Sequence, residues 1–507
     1  MSAELMGGRI VLTPRPARAR TPALEVAMLG HCPGRVRPER IGCQAREDLH
    51  RLGYRDIPLC GSDGEVPTAA GADWIWHRPL SLRSAAEFDD IFPDALNEPT
   101  CYHSRLAGAR AWLPRAVADF FTAGGEKLWV VPVPDIEPDR NGNGGTDFLP
   151  RPDARLADPE QLRGLDAALA IPEIGLVTLP DLERLEVPAN LPDTPRKRLP
   201  NPPPVFLPCA QDTSDHVRER RRSQSMPTPS PVLGLARILT AVGAALQRRR
   251  PDVQCLYTLP LAYDRTAGRP GLDPAALRAL RDLLDDPARA PALRRIQMLY
   301  PYLRGPGYRL RSACGLVAGM QAGVAAREGV WRSMAGRDLP SDGRPFPPLN
   351  SAEVARLRAD PGVGVFTVAH DALVLDDERL AVPALPVADY RGISDPAWLS
   401  PHRSGEVARF VGFLMRQLRR LGETLVFDNV VDDTRPRLLL DSFFGALHRA
   451  GALRGRRSED AYSITRLGSA DNTIAYAIEI APSIPIDRVH LTFANLNGQW
   501  DIDLGHG

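Results

Sequence analysis

The chain has 507 residues, of which 43% are hydrophobic and 25% charged, and its formal net charge is +1. Length and composition predict a globular protein with about three domain-sized units or two larger ones. The near-zero charge excludes a global field for nucleic acid or acidic lipid. No run approaches the roughly 18 apolar residues that a membrane helix requires, and the N-terminus has no apolar h-region of a secretory signal.

In the first part of the chain, predicted helices alternate with short apolar strands. Strands are expected at 24–29, 127–133, 174–179, 253–258 and 295–302. Helices are expected at 81–92, 111–123, 158–170, 232–248, 273–285 and 313–327. This alternation favours a mostly parallel α/β sheet. Residues 43–72 show no clear period, and the proline- and arginine-rich residues 182–230 are interpreted as a surface insertion.

A second pattern begins after a proline-rich linker near 338–348. It predicts a capping box at Asn350 and Glu353 and a long amphipathic helix over 404–421. The further elements expected are a hairpin at 363–370 and 372–375, a strand at 424–428, a helix at 435–450, and strands at 461–466, 473–480 and 487–494. The chain is therefore divided into an α/β region over 1–345 and an α+β region over 346–507, which ends in a β arm.

One stretch, AVADFFTAGGEKLWVVPV at 116–133, predicts a helix, a glycine stop and a buried strand. A phosphate-binding loop needs the opposite order, with the glycines between a strand and the start of a helix. The double glycine is therefore interpreted as a helix C-terminal stop that lets the chain reverse. The residues of this structural corner are Phe120, Phe121, Gly124, Gly125 and Trp129.

Candidate metal ligands form incomplete sets. The sequence DRNGNGGTD, which starts at Asp139, fits the first half of a calcium-binding EF-hand loop, but Pro150 stands where a bidentate glutamate is needed. Four residues are candidate zinc ligands by residue type, namely His31, Cys32, Cys43 and His50. They lack the local pairs of structural zinc sites, and seven scattered cysteines argue against a disulfide framework. No cofactor is expected.

Three predicted strands end close to an aspartate, at Asp135, Asp181 and Asp264. Ligands bind at the carboxyl ends of strands in open α/β sheets, so these carboxylates could serve an α/β metal-dependent hydrolase. Aspartate and proline also terminate strands for conformational reasons, and no histidine or serine constellation accompanies them. The expectation is a protein that is not an enzyme, with the hydrolase as the alternative.

Six segments resemble the phage tail sheath family, and they occur in the family's order. The first is the corner stretch, with its FF-x-x-GG helix end and aromatic strand. The others contain IPEIGLVTLPDL, GLVAGMQAGVAAREGVW, LNSAEVARLRADPGVGVFTV, GEVARFVGFLMRQLRRLGETLVFDN and TIAYAIEIAPSIPIDRVHLTFANLNGQW. The match runs from about residue 24 to 500, with gaps at 134–155 and 182–230. The N-terminus does not match the family's PGVYVEE-like arm, HDALVLDDER replaces its WGART-like motif, and the C-terminal arm is short.

The resemblance implies a subunit of a contractile tail sheath that polymerises as stacked six-fold rings around an inner tube. Implied partners are further copies of the chain, the inner tube protein, and baseplate and terminator or cap proteins. No nucleic acid and no membrane insertion are implied, and assembly would take place in the cytoplasm. The departures keep open a minor, non-polymerising component at a baseplate or cap.

The resemblance also implies contact residues. The helix over 404–421 would face the tube, through Arg416, Arg419 and Arg420. Neighbouring subunits would be linked by added strands, because exposed strand edges accept a partner's backbone. The residues expected in these arms are Val11, Leu12, Val489, Leu491 and Phe493.

Overall fold

A computed structural model describes the chain in thirteen segments. These are residues 24–60, 73–93, 111–134, 143–187, 233–264, 269–305, 309–359, 361–382, 404–425, 434–467, 474–484, 489–496 and 499–504. Val11, Leu12, Asp135 and Asp139 lie outside the described residues.

The strands and helices of these segments are labelled in chain order. The strands are β1 Glu25–His31, β2 Leu80–Leu82, β3 Leu128–Val133, β4 Ile174–Thr178, β5 Gln254–Thr258, β6 Leu261–Asp264, β7 Arg269–Leu272, β8 Ile296–Tyr300, β9 Tyr302–Arg304, β10 Leu310–Arg311, β11 Asp338–Leu339, β12 Arg344–Phe346, β13 Gly364–Ala369, β14 Ala372–Leu375, β15 Tyr462–Leu467, β16 Ala475–Ile480, β17 Val489–Leu496 and β18 Gln499–Leu504. The helices are α1 Cys43–Arg51, α2 Ala85–Ile91, α3 Leu113–Thr122, α4 Gly164–Leu169, α5 Pro180–Glu186, α6 Leu235–Arg249, α7 Pro274–Asp285, α8 Ala290–Leu293, α9 Cys314–Glu328, α10 Ser351–Ala359, α11 Gly405–Thr424, α12 Thr434–Arg449 and α13 Ser458–Ala461.

The largest sheet has nine strands in the order β11-β14-β13-β8-β5-β4-β1-β3-β2. The six strands from β13 to β3 run parallel, and antiparallel strands close both edges. Every residue of β1, β3, β4, β5 and β8 is buried, as expected for a parallel sheet covered on both faces. The predicted α/β class is confirmed. Strands β13 and β14 also belong to this sheet, so the sheet contains strands from both sides of the predicted boundary at residue 345. The division of the chain into two regions at that residue stays a prediction.

Strands β15 to β18 form a separate four-stranded antiparallel sheet in the order β15-β16-β17-β18. Helix α11 packs against β18 and also reaches β4 and β5 of the large sheet. Its predicted apolar stripe is buried, as shown by Val407, Phe410, Leu414 and Leu418. Helix α11 therefore contacts both the four-stranded sheet and the large sheet.

The corner of the chain at 116–133 has the predicted order of helix, glycine stop and strand. The Gly125 amide donates to the Phe120 carbonyl and the Gly124 amide to the Phe121 carbonyl, both at 3.1 Å. Gly124 has φ +99, so the helix ends in a Schellman motif that glycine accommodates without a Cβ clash. Phe120 and Trp129 are fully buried.

Helix α9 lies unusually close to α3. A Cβ atom added at Gly315 or Gly319 would fall inside van der Waals distance of the backbone oxygen of Ala116 or Phe120. These glycines are four residues apart and thus share one face of α9. The absence of side chains on this face is what lets the two backbones approach.

Two predicted elements differ from the observed ones, and two observed helices were not predicted. The helix expected at 158–170 is a 3-10 turn at Pro159–Gln161 followed by α4, whose first residue, Gly164, adopts φ +49. Helix α1 lies in the region without a clear period, and α5 occupies the start of the expected insertion. The strand expected from residue 424 overlaps the last residue of α11, and its remainder from 426 lies outside the described residues.

The cysteines also differ from the prediction. Cys32, Cys255 and Cys314 are buried thiols, as expected, but Cys43 and Cys60 form a disulfide with Cα atoms 5.6 Å apart. Their 17-residue separation carries no local signal of pairing. The bond forms because the chain after α1 folds back over the start of that helix.

Candidate functional site

The topology of the large sheet creates a crevice at the carboxyl end of β1. Strand β1 lies between β4 and β3, so the chain leaves it on one side and returns on the other. In open α/β sheets, ligands bind at such a switch point. The amino terminus of α3 lies here as well, and its free amides would favour an anion.

Asp181, which follows β4, fills this crevice with its own carboxylate. Its Oδ1 accepts a hydrogen bond from the Trp112 amide at 2.7 Å, and its Oδ2 accepts from the Leu113 amide at 3.0 Å and the His31 amide at 2.9 Å. Arg184 Nε donates to Oδ1 at 2.8 Å, and Asp181 is fully buried. The carboxylate therefore caps α3 and ties it to the ends of β1 and β4.

The hydrolase alternative needs three aspartates at this edge of the sheet. Asp181 is committed to backbone amides and an arginine, whereas Asp135 and the side chain of Asp264 lie outside what the structure describes. Within the described segments, no three histidine, cysteine, aspartate or glutamate side chains are placed to hold a metal ion.

Residues of the candidate zinc and calcium sites also occupy other structural positions. Cys43 of the zinc set is held in the disulfide, and His50 Nε2 contacts the Ile57 carbonyl. In the EF-hand-like stretch, the described residues begin with a 3-10 helix, Asn143–Phe148. Cys43 and His50 therefore contact other residues of the same chain.

A second buried carboxyl, Glu183, lies two residues further along α5 and was not singled out from the sequence. Its Oε1 accepts hydrogen bonds from the Thr258 amide at 2.9 Å and from Cys314 Sγ at 2.8 Å. Burial raises the pKa of Glu183 to about 7, although the hydrogen bonds from Cys314, Ser312 and Thr258 oppose that shift. Glu183 thus links α5 to β5 and α9.

Arg416, expected at the inner tube, is buried inside the chain with 4% of its side chain exposed. Its Nη1 donates to the Asp252 carbonyl at 2.6 Å and lies 3.6 Å from the Asp252 carboxylate. Arg250 also donates to that carboxylate, at 3.0 and 2.8 Å. Burial would raise the pKa of Asp252, but Arg250 and Arg416 outweigh it and hold the pKa at about 2. Arg416 therefore fastens α11 to the large sheet.

The other two expected tube residues are more accessible. Arg419 Nη1 lies 3.6 Å from Asp252 and Arg420 Nη2 lies 3.9 Å from Glu173, and their side chains are 36% and 38% exposed. At these separations the pairs are loose, so both guanidinium groups keep donors available.

The amino-terminal end of α11 is fastened by a second buried ion pair. Arg409 Nη1 lies 2.8 Å from Glu378, and both side chains are buried. Glu378 also accepts hydrogen bonds from Gln321 Nε2 at 2.8 Å, Ser333 Oγ at 2.6 Å and the Met334 amide at 2.9 Å. With Arg416 near the other end, α11 is held on the large sheet at two points.

The arm residues Val489, Leu491 and Phe493 lie on β17, which is an interior strand. Strand β17 pairs with β16 on one side and β18 on the other, and all three side chains are buried. Within the described part of this sheet, the open edges belong to β15 and β18. Added strands could pair with these edges.

Over the described segments, no helix is both long and apolar enough to cross a membrane.

No protein-family model matches this sequence, and no curated protein matches it. Two solved structures are similar to the chain in fold. The first, the anti-feeding prophage (AFP) baseplate in contracted state, has 14% identity and a TM-score of 0.52, over 95% of this chain and 95% of that chain. The second, the AFP helical sheath in contracted state, has 14% identity and a TM-score of 0.50, over 95% and 96% of the two chains. The fold is thus shared with a chain of each contracted assembly over nearly its whole length, which supports the sequence resemblance at the level of fold.

Proposed function

We propose that the chain is a structural subunit of a contractile tail sheath. It polymerises as stacked six-fold rings around an inner tube, and contraction drives the tube through a target envelope. The observation that carries this proposal is the fold shared with the contracted AFP sheath and baseplate structures over about 95% of the chain. Polymers of this kind need heterologous contacts that do not close on themselves.

The switch-point crevice supports a structural role over a catalytic one. An α/β enzyme leaves this position open for its ligand, whereas Asp181 fills it with a carboxylate bonded to three backbone amides. The same bonds stiffen the junction between β1, α3 and β4. A subunit that transmits force benefits from such a rigid centre.

The proposed tube contact rests on Arg419 and Arg420. Arg416 has an internal partner in Asp252, but its two neighbours on α11 keep partly exposed guanidinium groups. A single surface ion pair contributes only about 0–1 kcal/mol. Repetition in every ring would make the sum large, and the contacts would release together during contraction.

The proposed links between subunits are added strands. The N-terminal run with Val11 and Leu12 is one proposed arm, and the segment with Val489, Leu491 and Phe493 supplies the sheet that receives a partner strand. Because β17 is paired on both sides, we place the added strand at the edge of β15 or β18. Such a link tolerates rotation of the subunits because it uses backbone hydrogen bonds.

Negative-stain microscopy of the purified full chain tests the proposal, alone and after co-expression with the tube protein of its own gene cluster. Rings or tubes are expected at high protein concentration. A strictly monomeric protein that also fails to coat the tube would contradict the sheath role. A protein that caps tubes at their ends only would identify the minor baseplate or cap component instead.

A further inference from the structure

The disulfide between Cys43 and Cys60 stands apart from the other described cysteines. Cys32, Cys255 and Cys314 are completely buried, and burial raises the pKa of each thiol. A raised pKa leaves little thiolate, which is the reactive form. Cys43 and Cys60 are half-buried, so reagents in solution can approach them.

Cys43 has the surroundings of a reactive thiol. It is the first residue of α1, which has nine residues and no acidic residue in its first turn. The helix dipole and the free amides at this end stabilise a thiolate. Arg46, one turn further on, adds a positive charge. Its guanidinium donates to the carbonyls of Ile41 at 3.0 Å, Pro58 at 2.9 Å and Pro38 at 2.8 Å.

The same contacts hold the partner cysteine in reach without the disulfide. Arg46 and His50 both contact carbonyls two or three residues before Cys60, at Pro58 and Ile57. Arg78 pairs with Asp56 at 2.6 Å in the same loop. None of these contacts involves the sulfur atoms. They can therefore hold the loop in place when the disulfide is open.

We infer that Cys43 and Cys60 form a redox clip, a dithiol in a reducing compartment that closes to a disulfide in an oxidising one. Cys43 is the attacking thiolate and Cys60 the resolving thiol, and the oxidant is a low-molecular-weight disulfide such as oxidised glutathione. The Cys43 thiolate attacks one glutathione sulfur and expels a glutathione thiolate. The Cys60 thiolate then attacks Cys43 Sγ and expels the second.

Closing the clip is a two-electron oxidation of the protein by one oxidised glutathione. Two protein thiols lose two protons and two electrons, and one oxidised glutathione becomes two reduced molecules. Reducing compartments keep thiols reduced and extracellular ones preserve disulfides. The clip is thus open during cytoplasmic assembly and closed after release; only this timing rests on the proposed function.

A redox titration tests the clip on the full chain. Cys101→Ser and Cys209→Ser remove the two cysteines outside the described residues. This background is equilibrated in glutathione buffers from fully reduced to fully oxidised, quenched in acid, alkylated after unfolding and weighed by mass spectrometry. Two thiols are expected to disappear together within this range, while the three buried ones persist. A pair that stays oxidised in the most reducing buffer, or stays reduced in the most oxidising one, would overturn the inference.

Two single variants identify the attacking residue. In the Cys60→Ser variant, Cys43 is expected to react with iodoacetamide about tenfold faster than Cys60 does in the Cys43→Ser variant, because of the helix terminus. Equal rates would refute the assignment of Cys43 as the nucleophile. The redox titration needs no substitution at Cys43 or Cys60, so it remains decisive if either single variant misfolds. Because all these readouts use unassembled protein, they are independent of sheath formation.

Discussion

At the residue scale, two buried carboxyl groups on the short helix α5 have different hydrogen-bond donors. Asp181 accepts four hydrogen bonds, three from backbone amides and one from Arg184. Glu183 accepts bonds from only one backbone amide and weak side-chain donors, and burial raises its pKa to about 7. Burial therefore outweighs the hydrogen bonds to Glu183 and favours its protonated form.

Glu183 makes the stability of the protein depend on pH. In the unfolded chain it ionises near pH 4.5, and in the folded protein near pH 7, so the folded state binds more protons between these values. The free energy of unfolding therefore falls as pH rises from about 4.5 to 7, by up to roughly 3 kcal/mol. Glu183→Gln should flatten this slope in denaturant titrations between pH 5 and 8. Asp376, whose pKa burial raises to about 6, keeps its smaller slope in both proteins. Identical slopes would exclude Glu183 as the source.

Asp181→Asn tests the filled crevice. The variant keeps the shape of the side chain but turns one acceptor into a donor that faces backbone amides, and it removes the negative charge that pairs with Arg184. Breaking a buried pair of this kind costs about 3–5 kcal/mol. Urea unfolding followed by circular dichroism should give a lower midpoint, whereas the exposed control Asp158→Asn should match wild type. A variant as stable as wild type would mean that Asp181 is not structural.

At the element scale, the close packing of α9 on α3 depends on glycine. Gly319→Ala would place a methyl group against the Phe120 carbonyl, within the α3 backbone. Overpacking of this kind costs about 1–3 kcal/mol. Gly445→Ala on α12 is the matched control, because its nearest neighbour would be Tyr462 Oη at 3.5 Å and alanine favours a helix. Thermal unfolding should show a loss of stability for the first and none for the second. A neutral Gly319→Ala would refute the close approach.

Long, periodic elements were predictable from the sequence, and the corner at 116–133 was as well. Helix α11 shows its apolar stripe in the sequence, and Gly124 and Gly125 mark the end of α3. Helices α1 and α5 were missed because they are short and their buried faces include charged residues such as Arg46 and Glu183. Local pattern rules treat such residues as exposed, and only tertiary partners justify their burial.

The candidate site was harder to predict than the fold for the same reason. Asp181 was correctly placed at the carboxyl end of a strand, but its role depends on amides 68 to 150 residues away. Arg416 belongs to the run of arginines on α11, and nothing local separates it from Arg419. Burial of Arg416 follows from its contact with Asp252, 164 residues earlier in the chain. Contacts at this separation leave no periodic trace in the sequence.

At the scale of the whole molecule, α11 carries both buried and partly exposed arginines. Arg409 and Arg416 fasten it to the large sheet through buried ion pairs with Glu378 and Asp252. Arg419 and Arg420 leave part of their side chains exposed at the carboxyl-terminal end of the helix. The proposed tube contact would therefore connect to the large sheet through these buried pairs.

This arrangement predicts a separation between folding and assembly. Arg419→Glu with Arg420→Glu should lower the unfolding midpoint less than Arg416→Met does, since both arginines are partly exposed and their pairs are longer than 3.5 Å. Co-sedimentation with the tube protein should fall severalfold, because an acidic side chain repels the partner that an arginine attracts. Arg237→Glu with Arg278→Glu, at exposed positions of α6 and α7, is the control for charge alone.

Arg416→Met should lower the unfolding midpoint, because it leaves Asp252 with one buried partner fewer. Unchanged tube binding in the Arg419 and Arg420 variant, with wild-type sheath formation, would place the tube contact elsewhere on the chain and leave the sheath role intact.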